Sequence, residues 1–258
     1  MSSRDRGSLL ANDWTELERQ VRARTPARLL KGRVGGCYRT PIQLDLREAH
    51  AAARDAVRTE LDMEKQLGLE VIQQWGLFEV SSMARTKDDY LLRPDLGRIF
   101  DEPSREELRE RCSRGNDIQI AIGDGLSVTA VAAQVPRLLP ALCGGATVLG
   151  WKVGQTFVIR NCRVGILNQI GEILMPTIAV LLIGERPGLA TPESLSAYMA
   201  YRPGPGQTDA HRNLVSNIHA RGIGILDAVD RILRLAKEMR KAKCSGVELG
   251  NSTTRLEE

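Results

Sequence analysis

The stretch Ile178-Ala-Val-Leu-Leu-Ile-Gly-Glu-Arg-Pro-Gly-Leu189 constrains the fold of this chain more than any other. Six apolar residues run straight into Gly184, followed by the charged pair Glu185-Arg186 and then Pro187-Gly188. A short continuous apolar run closed by turn residues reads as a strand buried on both faces, as in a parallel sheet. Open α/β sheets bind their ligands just past the carboxyl ends of such strands. Glu185 therefore stands where a ligand is expected, on a loop whose Pro and Gly restrict the backbone.

The neighbouring segments alternate between the two periodicities. Asp117–Gly123 and Thr156–Arg160 read as strands, and Gly76–Ser81 has strand character. Pro103–Cys112, Val128–Leu142 and Gln169–Leu174 read as helices, with Ser127 as the N-cap of the second. Ser196–Tyr201 is a further candidate strand. A last helix from Leu226 to about Lys243 carries Asp227 and Asp230 early and Lys237, Arg240, Lys241 and Lys243 late, which suits the helix dipole. Strands alternating with helices predict an α/β fold: a doubly wound, mostly parallel, Rossmann-like sheet.

Before residue 75 the pattern is helical. Asp13 and Glu16 form a capping-box pattern opening a helix over Trp14–Ala23, and Thr25-Pro26 interrupts it. A basic, glycine-rich turn ends at Gly36. Thr40 reads as a cap with Pro41 behind it, and a helix with the apolar stripe Ile42, Leu46, Ala49, Ala53, Ala56 and Val57 runs to about Leu61. Met63–Gln74 is a further helical stretch. These features predict a small N-terminal helical domain over residues 1–75 and an α/β domain over 76–258.

Composition excludes several functions. Aromatic residues are 4% of the chain, so no stacking platform for single-stranded nucleic acid is visible. The net charge of +4 is spread among interspersed acidic residues, which reads as a solvated mixed-charge surface and not a nucleic-acid footprint. No apolar run reaches the roughly 18 residues that a membrane helix needs, and the polar N-terminus does not read as a secretory signal. The five cysteines are scattered and form no C-x-x-C pair, so they read as reduced cytosolic thiols.

The candidate chemical motifs are incomplete. Gly123-Asp-Gly-Leu-Ser127 gives half of a dinucleotide fingerprint, without its third glycine or its acidic partner, and reads as a packing loop or a site for another polar ligand. Asp209-Ala-His211-Arg-Asn-Leu214 partly matches the D-x-H-x-x-G pattern that supplies a cobalt ligand in one class of cobalamin proteins, but Leu214 replaces the glycine and the match reads as coincidence. His50 and His219 have no metal-ligand spacing. Glu172 and Glu185 flank the Ile178 strand, and Glu172 reads as a solvated helix residue. No catalytic residue and no metal ligand is assigned to the chain.

Several ordered motifs nonetheless resemble one family. They are Thr25-Pro-Ala-Arg28 with Gly32-Arg33, Leu92–Arg98, Asp124-Gly-Leu-Ser127, Gln169–Leu174, Gly184-Glu-Arg-Pro-Gly-Leu189 with Glu193-Ser-Leu-Ser196, and Val215-Ser-Asn-Ile-His219. Together they resemble the small (light) subunit of adenosylcobalamin-dependent ethanolamine ammonia-lyase over most of the chain. The resemblance implies a bacterial lyase that converts ethanolamine to acetaldehyde and ammonia by a radical mechanism. It also implies a large (heavy) partner subunit that binds the substrate, assembled with the small one as a hexamer of heterodimers. The family's cobalamin contacts fall on Val164, Glu185 and Leu214, the last replacing a cysteine. A carboxylate at a strand's carboxyl end can accept hydrogen bonds from such a ligand, so Glu185 reads as a positioning residue, and its burial demands a partner, for which Arg186 is adjacent. Residence in the bacterial cytoplasm is expected, within an ethanolamine-utilisation microcompartment where one encloses the enzyme. Two other classes are a stand-alone nucleotide-dependent oxidoreductase and a purely structural partner of a large subunit.

Overall fold

The computed structural model describes residues 16–24, 29, 31–188 and 191–254. Residues 16–24 form helix α1 where a helix is predicted; the Asp13 cap and the Thr25-Pro26 interruption lie outside the described residues. A small hairpin, β1 (Arg33–Val34) with β2 (Cys37–Tyr38), takes up the glycine-rich turn. Helix α2 (Thr40–Arg58) follows with Pro41 in its first turn, although the cap position is Arg39 and it makes no side-chain cap bond. The α2 stripe is half-buried, and only Ala56 is fully enclosed.

The stretch expected as one helix over 63–74 is two, α3 (Met63–Leu67) and α4 (Leu69–Trp75), because Gly68 between them adopts φ 80°. That is a left-handed conformation that a helix interior cannot hold. Leu61 and Leu67 are buried in the same apolar cluster as the central sheet, with Ile72 and Trp75 packed against it.

The centre of the molecule is a six-stranded sheet: β3 (Glu79–Ser81), β4 (Ile118–Gly123), β5 (Phe157–Arg160), β6 (Ile178–Gly184), β7 (Leu195–Tyr201) and β8 (Asn213–Ile218), in the order β3-β5-β4-β6-β7-β8. The first four are mutually parallel. Every residue of β4 and of β6 is buried, as a continuous apolar run in a two-sided sheet requires. Helices α5 (Lys87–Leu92), α6 (Glu102–Arg111), α7 (Val128–Val148), α8 (Leu167–Leu174), α9 (Ile225–Ala242) and α10 (Val247–Thr254) complete the chain.

The two faces are filled separately. Ile118, Ile120 and Ile122 of β4 join Val180 and Leu182 of β6 under α7 and α9. Ala121 of β4 joins Ala179, Leu181 and Ile183 of β6 under α6 and α8, through Leu108, Leu167 and Ile170. The connections obey one rule of handedness. From β3 to β4 the chain steps one way across the sheet, from β4 to β5 it steps back, and from β5 to β6 it steps forward again. A constant hand of crossover forces the connecting helix to change face whenever the direction reverses. The helices α6, α7 and α8 do alternate in that way.

Two details depart from the sequence expectation. The third parallel strand in sequence, β5, is inserted between the first two, which is not the succession found in the dinucleotide-binding fold. The sheet is mostly parallel as expected, but its last two strands are not: β7 pairs antiparallel with β6 and β8 antiparallel with β7. The physical reason is the connection. The β6–β7 link spans residues 185–194 and its described part holds no helix, whereas a parallel crossover needs an element to carry the chain back. Among the described residues, no helix is long and apolar enough to cross a membrane.

Candidate functional site

The loops leaving β4, β5 and β6 meet at one end of the sheet, and a buried aspartate ties two of them together. Asp124 directly follows β4 and is 1% exposed. Its carboxylate accepts the backbone N–H groups of Asn161 (2.9 Å) and Cys162 (2.8 Å), just after β5. The Lys87 ammonium of α5 lies 3.5 Å from the same carboxylate and is itself nearly enclosed. Burial pushes the Asp124 carboxyl above the usual carboxylate range, against the opposing pull of Lys87 and the backbone N–H groups. The aspartate of the Gly123–Ser127 loop thus ties the loop after β4 to the loop after β5.

The loops approach closely because two glycines allow it. A Cβ on Gly184 would overlap the Ser127 carbonyl, and one on Gly125, which has φ 57°, would overlap the Gly184 carbonyl. Ser127 caps α7 as expected, accepting the Ala130 N–H at 3.2 Å, and its hydroxyl donates to the Pro192 carbonyl at 2.5 Å. One side chain therefore fixes both the start of the helix and the β6–β7 loop. Tyr90 of α5 donates its hydroxyl to the Cys162 carbonyl at 3.1 Å and receives the Arg163 guanidinium 4.2 Å from its ring centroid. Burial raises the pKa of both Tyr90 and Cys162.

Above this floor opens a cavity of about 460 Å³. Its walls come from Tyr90, Leu126, Cys162 and Arg163 on one side and from Ile183, Ser196, Tyr198 and Ser216 on the other. Val164, Glu185 and Leu214 all line it. Val164 opens a 3-10 turn directly after β5, Glu185 follows β6, and Leu214 lies on β8 with 45% of its surface exposed. In the sheet register Leu214 is paired with Tyr198 of β7. Half-burial pushes the Tyr198 hydroxyl pKa upward, and the negative charges of Asp209 and Glu185 add to that shift.

The Glu185 carboxylate is held by three donors. Ser194 donates to Oε2 at 2.7 Å, while Ser196 (2.5 Å) and the Asn217 N–H (3.0 Å) donate to Oε1. The expectation that Arg186 would serve as its partner is corrected, because Arg186 is exposed and the described residues hold no ion pair between the two. Two serines and a backbone group take that role. None of the three was singled out as a partner of Glu185 from the sequence. The signal available was the Ser194-Leu-Ser196 alternation, which puts both hydroxyls on one face of a strand.

The other candidates find local roles. Glu172 is solvent-facing and lies 3.7 Å from Arg105 of α6. The His211 ring accepts the Thr208 N–H at 3.1 Å and closes a 3-10 turn. His219 is buried and bonds Asn217 Oδ1 at 3.3 Å and the Arg221 N–H at 3.3 Å. Among the described residues no group of three or more His, Cys, Asp or Glu side chains is placed to hold a metal ion.

Fold and cleft together define an α/β protein with a ligand-type cavity at the carboxyl ends of its parallel strands. Comparison with known proteins is more particular. Residues 14–250 match the family model described as ethanolamine ammonia-lyase light chain. Among similar proteins, the ethanolamine ammonia-lyase small subunit of Clostridium perfringens is 40% identical over 230 residues, covering 89% of this chain and 76% of the relative. That of Fusobacterium nucleatum is 41% identical over the same shares, and that of Clostridium acetobutylicum is 40% identical with 93% of the relative covered. The chain belongs to the ethanolamine ammonia-lyase light-chain family.

Proposed function

We propose that this chain holds adenosylcobalamin against the large subunit of an ethanolamine ammonia-lyase, the two subunits together converting ethanolamine to acetaldehyde and ammonia. The observation that carries the reading is the convergence of Val164, Glu185 and Leu214, from three separate segments, on one cavity. The donor set suits the cofactor. A carboxylate offers about four acceptor positions, and the three donors on Glu185 leave one free for an amide N–H of the corrin periphery. Leu214, Val164 and Ile183 add apolar contact for a flat macrocycle, and Tyr198, Leu214 and Ser216 of β7 and β8 line the same cavity. When bound, the cofactor supplies the cobalt–carbon bond whose homolysis starts the radical chemistry.

In this reading the chain's own residues orient and enclose. Glu185 accepts a hydrogen bond, and Val164 and Leu214 exclude water from the covered face. Substrate binding and the reacting residues belong to the large subunit, and the assembly is a hexamer of heterodimers in the bacterial cytoplasm or an ethanolamine-utilisation microcompartment. For the fold, we keep the Rossmann-like, doubly wound description on the strength of the alternating helix faces. The division into a helical domain over 1–75 and an α/β domain over 76–258 likewise stays part of the proposal, with Leu61 and Leu67 bridging the two through the shared core.

The test is a visible-spectrum titration of the assembled two-subunit enzyme with adenosylcobalamin. Glu185→Ala should raise the apparent Kd about tenfold, the scale of one good hydrogen bond to a charged group. An unchanged Kd and unchanged deaminase activity would overturn the assignment.

A further inference from the structure

Two stretches besides its own loop converge on the Glu185 carboxylate. Glu185 follows β6, Ser194 directly precedes β7, Ser196 is the second residue of β7, and Asn217 lies near the end of β8. The two serines are 8% and 2% exposed, so their hydroxyls are withdrawn from water and committed to Glu185. Asn217 adopts φ 63°, a left-handed conformation that asparagine tolerates better than most side chains. That twist aims its N–H at Oε1. It is braced by the Ile223 N–H on the Asn217 carbonyl at 2.8 Å and by His219 on the Asn217 side chain.

We infer that Ser194, Ser196 and Asn217 are positioning residues that fix Glu185 in its ligand-accepting orientation before any ligand arrives. The inference rests on the reading of Glu185 as a cobalamin contact. Each donor removes rotational freedom from a side chain with several rotatable bonds, so a ligand meeting it has less ordering to impose. The bonds also divide the carboxylate unequally. Oε1 carries two donors and Oε2 one, which leaves Oε2 as the oxygen free to accept from the ligand.

The experiment is a binding titration of the two-subunit complex with hydroxocobalamin, followed by its visible spectrum and independent of turnover. Ser196→Ala should raise the Kd about fivefold, and Ser196→Thr, which keeps a hydroxyl, should restore most of the affinity. In a Glu185→Ala background, Ser196→Ala should change nothing further, because the group it positions is gone. Asn217→Gly should bind within about twofold of the parent, and Asn217→Ala, which keeps the N–H but disfavours the left-handed backbone, should bind more weakly. If Glu185→Ala weakens binding and Ser196→Ala does not, the positioning role fails while the cobalamin reading stands. If Ser196→Ala weakens binding equally with and without Glu185, the serine acts on its own and the inference is overturned. If Glu185→Ala leaves binding intact, the cobalamin reading itself fails.

Discussion

Strand β4 is bracketed by two aspartates that share a side chain and little else. Asp117, just before the strand, accepts the Lys152 N–H at 2.8 Å and the Arg240 guanidinium at 2.7 Å, and both partners pull its pKa below the usual carboxylate range. Asp124, just after the strand, is sealed in with Lys87, and burial pushes its pKa the other way. The first end of the sheet is a surface clip; the second is a supported floor beneath a cavity. Ionised pairs at a wet surface are worth little, whereas a buried pair is costly to break once built. The contrast predicts that the polar groups whose loss costs most lie at the cavity end of the strand.

Four substitutions would break or sharpen this contrast. Asp124→Asn should have the largest effect, lowering unfolding stability by about 3 kcal/mol at neutral pH, because Lys87 keeps its charge without its partner. Adding Lys87→Met should recover a substantial part of that loss, and chemical denaturation of both variants checks it. A loss for Asp124→Asn no greater than that for Asp117→Asn would dissolve the distinction between the two ends.

Asp117→Asn should cost less, about 1 kcal/mol or below, and its cost should depend on pH. A carboxyl whose folded pKa is depressed contributes stability that is present above its unfolded value and lost as the pH falls through its folded value. The Tm difference between parent and Asp117→Asn should therefore be full at pH 7 and shrink below about pH 4. At Asp124 burial pushes the pKa the other way, so acidification should not remove stability there as it does at Asp117. Acid titration of the two variants separates the two ends of the strand.

The smallest effect belongs to the cavity wall. Leu214→Ala removes a side chain that is 45% exposed, and stability should change by less than about 0.5 kcal/mol. A Tm that falls as far as for Asp124→Asn would show that Leu214 supports the fold and does not merely wait for a ligand.

Much of the molecule could be read from residue patterns. The buried run of β6 and the Ser127 cap are local signals, strong because burial and capping leave a trace in consecutive residues. Strand direction was not local. Nothing within Ser196–Tyr201 states that it runs against β6; that follows from a connection without a helix. Strand β8 was missed because its burial alternates with exposed positions at Leu214 and Asn217, which reads as loop. Helix α5 was missed because a chain of Lys, Asp and Tyr shows no apolar stripe, its Lys87 and Tyr90 being buried by polar partners. In the site, Glu185 was legible from its place after a strand, but its partners were not. Adjacency suggested Arg186, whereas the real donors come from residues up to 32 positions away.

The reach from Glu185 to Asn217 bears on how the chain matures. The last strand of the sheet must be docked before the carboxylate has all its donors. A molecule stalled with β8 unpaired can have a nearly complete core and still lack a finished cleft. A ligand that binds only the completed carboxylate would therefore report that the last strand has docked.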